Sequence, residues 1–141
     1  MYFEALHPDF QLPTRGSEYA GGLDLYMPEP GSVGQHGLPT KVRLGFAAAV
    51  PIGHVALLLP RSGVGSKNGL ELNNTCGVID SDYRGEWIAA LRTKDGAYFK
   101  WSAGDRVLQM LVVPVASVTP ELVDSLDATE RGVGGFGSTG S

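Results

Sequence analysis

The chain has 141 residues, 43% of them hydrophobic and 18% charged, with a formal net charge of −4. That length holds one core rather than two, and an acidic chain with few bases is a poor match for coating nucleic acid or an anionic membrane. A single cysteine excludes a disulfide framework within the chain and a cysteine-based zinc site, while Gly and Pro at about a fifth of the residues predict many turns without low complexity.

The amino end, MYFEALHPDFQLP, has no basic stretch followed by an apolar run, so the expected location is cytoplasmic. Short apolar runs between Gly, Pro, Asn and Asp clusters predict strands at 23–27, 42–44, 46–50, 55–59, 77–79, 87–91, 97–101 and 107–118. The uncharged stretch 44–60 is interrupted by Pro51, Gly53 and His54; its 17 residues read as two strands joined at Pro51-Ile52-Gly53, not as a membrane span. Residues 28–40 carry no motif and read as a surface loop. Lys94-Asp95-Gly96 is a hairpin signal, because Asp-Gly supplies the positive φ of a tight turn. Pro114 predicts an edge position or a break. Thr119-Pro120-Glu121 has the form of a helix start, although the segment after it is too short to decide. Apolar residues nowhere keep helical spacing over a dozen positions, so the predicted class is all-β, a sandwich or barrel. The last eleven residues, RGVGGFGSTGS, hold five glycines around one arginine and one phenylalanine, and predict an arm that closes over a ligand.

Several motifs fail on context. Gly132-x-Gly134-x-x-Gly137 matches the dinucleotide fingerprint, but no βαβ unit comes after it. His7, His36 and His54 show no ligand spacing, and Cys76 has no activating neighbour in sequence. Others carry chemistry. Arg61, Ser62 and Gly63 follow a strong apolar strand and offer a guanidinium, a hydroxyl and backbone amides to a phosphate. Asp80 comes directly after two β-branched residues, so the strand fixes its carboxylate where it can orient or deprotonate a water. Gln109, alone in an apolar run, needs a polar partner.

The order of these segments is more specific than any one of them. AGGLDL at 20–25, PRSG at 60–63, GVIDSDYRGE at 77–86, GDRVLQM at 104–110 and RGVGGFGSTG at 131–140 resemble the five ordered motifs of the trimeric deoxyuridine triphosphatases (dUTPases). The resemblance spans essentially the whole chain. It implies a jelly-roll-like β-barrel over 1–130 and an arm, 131–141, closing over the active site of a neighbouring subunit. It implies a homotrimer with shared sites and the reaction dUTP + H2O → dUMP + pyrophosphate, assisted by Mg²⁺, which keeps uracil out of DNA and supplies dUMP for thymidylate synthesis.

Residue by residue, Asp80 matches the aspartate that activates water, and Tyr83 the tyrosine packed on the deoxyribose. Asn74 matches the asparagine that reads uracil, with backbone around Gly77, Val78 and Ile79, and near Ile88, supplying further base contacts. Arg61, Ser62, Gly63 and Gln109 match phosphate contacts. Asp24 matches a first-motif aspartate that acts through water near the metal. In the arm, Arg131, Ser138 and Thr139 match phosphate contacts, Phe136 the residue stacked on uracil, and Gly137 the glycine beside it. The chain departs from the family pattern at Gly21-Gly22-Leu23, Val64-Gly65-Ser66 and Val133, none of which carries a catalytic role. Deoxycytidine triphosphate deaminase shares the fold but calls for an Arg-Ser-Ser second motif, where this chain has PRSGVGSK. The remaining alternative is a dUTP-responsive switch that uses the same site to control a regulatory protein partner.

Overall fold

The computed structural model describes residues 1–34 and 38–135, the side chain of Asp95 apart. The strands, in chain order, are β1 (Tyr2–Ala5), β2 (Leu23–Tyr26), β3 (Gly31–Val33), β4 (Thr40–Arg43), β5 (Phe46–Ala49) and β6 (His54–Pro60). After the short helix α1 (Ser62–Asn68) come β7 (Leu70–Leu72), β8 (Gly77–Ile79), β9 (Ile88–Thr93), β10 (Phe99–Trp101) and β11 (Arg106–Pro114). They form a four-stranded sheet in the order β2-β11-β6-β8, a three-stranded sheet β4-β9-β7, and two pairs, β1-β5 and β10-β3. Every pairing is antiparallel.

Among the described residues no strand pairs with its neighbour in sequence. Each turn carries the chain from one sheet to another, the winding of a jelly-roll-like barrel. The expected all-β class holds, and this winding explains two departures in detail. Lys94–Gly96 is a single 3₁₀ turn rather than a hairpin, because β9 pairs with β4 and β7 while β10 pairs with β3. The turn at Pro51-Ile52-Gly53 likewise joins strands of different sheets. The two sheets close on Leu25, Met27, Phe46, Leu58, Trp87, Leu91, Leu108 and Met110, all fully buried.

Three short elements escape the apolar-run reading. Strands β1, β3 and β7 are three or four residues long and have little or no apolar run of their own. Helix α1 has the sequence SGVGSKN and buries none of its side chains; it ends on Gly69, whose left-handed φ of 64° closes the last turn. The chain ends β11 at Pro114, as the proline requires, and no helix forms at 119–121.

Residues 28–40 are not simply a surface loop, because they contribute β3. Its Val33 is buried, it pairs with β10, and the Trp101 indole N–H donates to the Glu29 carbonyl at 3.0 Å. The Trp101 ring lies flat on Gly31, so that a Cβ there would fall 2.4 Å from the ring. Gly31→Ala should therefore lower stability by about 1–3 kcal/mol, the scale of overpacking a fitted site, read as a lower melting temperature. A variant that melts with the parent would show that the ring has room to move.

Candidate active site

The first cluster is built around a buried carboxylate. Asp24 sits on β2, pinned by two backbone hydrogen bonds to Thr14, and its carboxylate is largely out of water. A carboxylate in that position needs charged partners. It has two: Arg61 Nε donates to Oδ1 at 2.8 Å, and Arg106 Nη1 donates to Oδ2 at 3.2 Å.

The sheet delivers all three groups to one face. Gln109 on β11 lies directly opposite Asp24 on β2 and Leu59 on β6, and Arg61 follows Leu59 two residues on. Residues 106 and 109 would project to opposite faces of a regular strand. A bulge between Arg106 and Leu108 brings Arg106 opposite Tyr26 and so onto the face of Asp24. The Gln109 amide donates to the Pro60 carbonyl at 3.1 Å, which is the polar partner its position demands. Arg61 is held further by its own N–H to the Val107 carbonyl and its Nη1 to the Arg106 carbonyl.

One carboxylate against two guanidinium groups leaves one excess positive charge, with further N–H donors on both arginines. These line a surface cavity of about 370 Å³ together with Lys100, Gly104 and Asp105. Ser62 and Gly63 open α1 beside Arg61, and the first N–H groups of a helix have no intrahelical acceptor. The arrangement can receive an anion.

The second cluster is the turn after β8. A pocket of about 190 Å³ is lined by Val78, Ile79, Asp80, Tyr83, Trp87 and Ile88. Its side chains are apolar except for the exposed Asp80 carboxylate, which no described residue engages by ion pair or hydrogen bond, and the tyrosine. The Tyr83 N–H closes the turn on the Asp80 carbonyl at 3.2 Å. Arg84 ties it with two bonds from Nη1, to the Ser81 carbonyl at 2.8 Å and the Tyr83 carbonyl at 3.0 Å. The Tyr83 hydroxyl donates to the Glu86 carbonyl at 3.1 Å.

Glu86 anchors this turn to the barrel. Its carboxylate pairs with Arg43 at the end of β4 and accepts the Gly45 N–H at 3.1 Å. Hydrogen bonding and then charge from Glu86 hold the Arg43 guanidinium above its usual pKa. Trp87 continues the anchor, its backbone bonded to Phe46 and Leu44 and its ring 5.0 Å from that of Phe46.

The two clusters stand apart within one chain. Ala56 on β6 pairs with Ile79 on β8, so Asp80 lies opposite the Val55 end of β6, while Arg61 follows its other end. Six residues of extended strand separate them by about 20 Å. Of the residues expected from sequence, Val78, Ile79, Asp80, Tyr83 and Ile88 share the pocket, and Asp24, Arg61 and Gln109 share the basic face, where Ser62 and Gly63 adjoin Arg61. Gly77, buried against Leu58, and the exposed Asn74 precede the pocket and do not line it. Arg131 is exposed, its Nε donating to the Gly134 carbonyl at 3.0 Å. Phe136, Gly137, Ser138 and Thr139 lie outside the described residues. Residue types and motif spacing alone give no role to Arg106, Glu86, Trp87 or Thr75. Arg106 stood in the GDRVLQM segment, but only the bulge gives it the face of Asp24. Thr75 holds a φ of 67°, rare for a β-branched residue, beside Asn74, and no run of residue types signals that.

The sequence profile of the dUTPase family matches residues 8–140. A deoxyuridine 5'-triphosphate nucleotidohydrolase of Hahella chejuensis is 42% identical over 136 residues, covering 94% of this chain and 89% of that protein. The protein of the same name from Yarrowia lipolytica is 42% identical, covering 96% and 85%. Among solved structures, the dUTPase of Staphylococcus bacteriophage 80alpha with dUPNHPP superposes with a TM-score of 0.88 over 99% of this chain and 98% of that one, at 23% identity. That phage protein is described as controlling transfer of virulence genes by a G protein-like mechanism.

The Asp24 fork yields a direct expectation. Asp24→Asn keeps shape but removes the charge that holds two arginines. It should destabilise the fold by about 1–3 kcal/mol, the scale of a lost charged hydrogen-bond partner. Urea denaturation measures this, and an unchanged midpoint would show that the fork carries no stability.

Proposed function

The chain belongs to the dUTPase family, and from that premise we infer that it hydrolyses dUTP to dUMP and pyrophosphate, limiting uracil incorporation into DNA and supplying dUMP. The observation that carries this reading is the pocket of residues 78–88. It offers backbone beside Val78 and Ile79 to a planar base, an aromatic wall at Tyr83 to a sugar, and the Asp80 carboxylate at its edge to a water.

In this reading Asp80 orients a water toward phosphorus and accepts its proton as the new P–O bond forms and the α–β anhydride breaks, releasing pyrophosphate. Arg61, with Ser62, Gly63 and Gln109, receives the phosphates, and the Asp24 fork holds Arg61 in place. Tyr83 leaves no room for a 2′-hydroxyl. Backbone beside Val78 and Ile79 lies too close to uracil C5 for a methyl, while Gly77, Asn74 and Ile88 complete the base contacts.

The enzyme uses Mg²⁺. No group of three His, Cys, Asp or Glu side chains clusters among the described residues, and Asp24 is already engaged by two arginines. That donor set would fit a cation held mainly by the substrate's phosphates, with Asp24 acting on it only indirectly. The ion would supply the positive charge that an acidic protein with few bases lacks.

The 20 Å gap supports a homotrimer in which the pocket of one subunit meets the basic face of another. The segment after β11 supports it too: Leu122 and Leu126 are 99% and 86% exposed, with no cover from the described residues. The arm 131–141 then closes a neighbour's site, Arg131, Ser138 and Thr139 on phosphates and Phe136, beside Gly137, on the base. No described helix is long and apolar enough to cross a membrane.

Asp80→Asn should keep nucleotide binding and oligomeric state while kcat falls at least about 10²-fold, the usual effect of losing a general base. A steady-state assay of pyrophosphate release reads this, and near-normal turnover would remove Asp80 from the role.

A further inference from the structure

Gly85 stands between Tyr83 and Glu86 in the turn after β8, and its backbone conformation does not explain why it is glycine. Its φ is not in the left-handed region, so no turn geometry requires glycine there. Space does. A Cβ built on Gly85 would fall 2.4 Å from the Tyr83 hydroxyl oxygen, 2.6 Å from Cζ and 3.0 Å from Cε2. The phenol therefore lies flat across the Gly85 backbone.

Around this contact the turn is fixed on every side. The Tyr83 hydroxyl is bonded to the Glu86 carbonyl, the Glu86 carboxylate to Arg43 and the Gly45 N–H, and the Trp87 backbone to Phe46 and Leu44. The ring is thus seated on one face by Gly85 and anchored at its oxygen by the next residue. It still reaches solvent, 44% exposed, and lines the pocket.

We propose that Gly85 is a specificity-determining residue: its missing side chain seats the Tyr83 ring, and the depth of that seat sets the discrimination between 2′-deoxyribose and ribose. This rests on the reading of Tyr83 as the sugar wall. A methyl at 85 cannot share space with the phenol, and the anchor to Glu86 holds the turn's backbone in place. The ring must leave its seat, break its bond to the Glu86 carbonyl and open the wall. The 2′-hydroxyl of a ribonucleotide then finds water instead of an aromatic face, and its desolvation penalty falls.

The test measures kcat and KM for dUTP and UTP with four proteins: wild type, Gly85→Ala, Tyr83→Ala and the double variant. Gly85→Ala should raise the UTP/dUTP ratio of kcat/KM by about tenfold, the scale of one unpaired polar group relieved, and should raise KM for dUTP by more than it lowers kcat. The double variant should match Tyr83→Ala alone, since without the ring there is nothing to displace; effects that act through one group do not add. Melting temperature gives a readout independent of activity: Gly85→Ala should lower it in the wild type but not in the Tyr83→Ala background. An unchanged ratio in Gly85→Ala, alongside a raised one in Tyr83→Ala, would overturn the seat while leaving the sugar wall intact. An unchanged ratio in Tyr83→Ala would overturn the sugar wall itself, and the seat with it.

Discussion

The antiparallel pairing of β6 with β8 and β11 sets the geometry on which the rest depends. One strand carries the basic face at one end and, through its partner β8, the pocket at the other. Strands are stiff and their rise per residue is fixed, so the two clusters cannot approach each other within a chain. On the proposed reading, a substrate that takes a base pocket, a carboxylate and a phosphate cradle together would take them from more than one subunit. The apolar residues after β11 that no described residue covers favour the same reading from a different direction.

Each cluster solves a separate electrostatic problem. In the basic face, a carboxylate is taken out of water at β2, which is costly alone. The bulge in β11 and the turn after β6 bring two guanidinium groups to it. The result is a pair of arginines held in fixed orientation, so little side-chain entropy remains to be lost when an anion arrives. In the pocket the order is reversed. Glu86 gives its charge to Arg43 and to the backbone, while no described residue engages the Asp80 carboxylate. The anchoring acid and the acid proposed to act on water stand in one turn, six residues apart, distinguished by burial and partners alone.

The eight apolar runs were legible because burial on one or both faces leaves a composition signal. Their pairings were not, because in this winding consecutive strands sit in different sheets and a turn such as Lys94-Asp95-Gly96 looks the same whether or not it closes a hairpin. Strand β3 was hidden because Gly31 serves as a flat surface for Trp101, and a missing side chain leaves no pattern. The candidate site could be proposed from ordered motifs through Asp80, Tyr83 and Arg61. What joins those motifs, the bulge at Arg106, the anchor at Glu86 and the seat at Gly85, is made of register and clearance, which a list of residue types does not contain.

The shared site is the central claim, and mixing two inactive chains tests it most directly. Asp80→Asn spoils the pocket, Arg61→Ala spoils the basic face, and the two lie at opposite ends of β6. If each site joins the pocket of one subunit to the basic face of the next, subunit exchange in an equal mixture should restore about one site in four. Turnover should rise from the level of either parent as exchange proceeds. Mixed oligomers demonstrated by native mass spectrometry, yet no more active than the parents, would show that each chain builds its site alone.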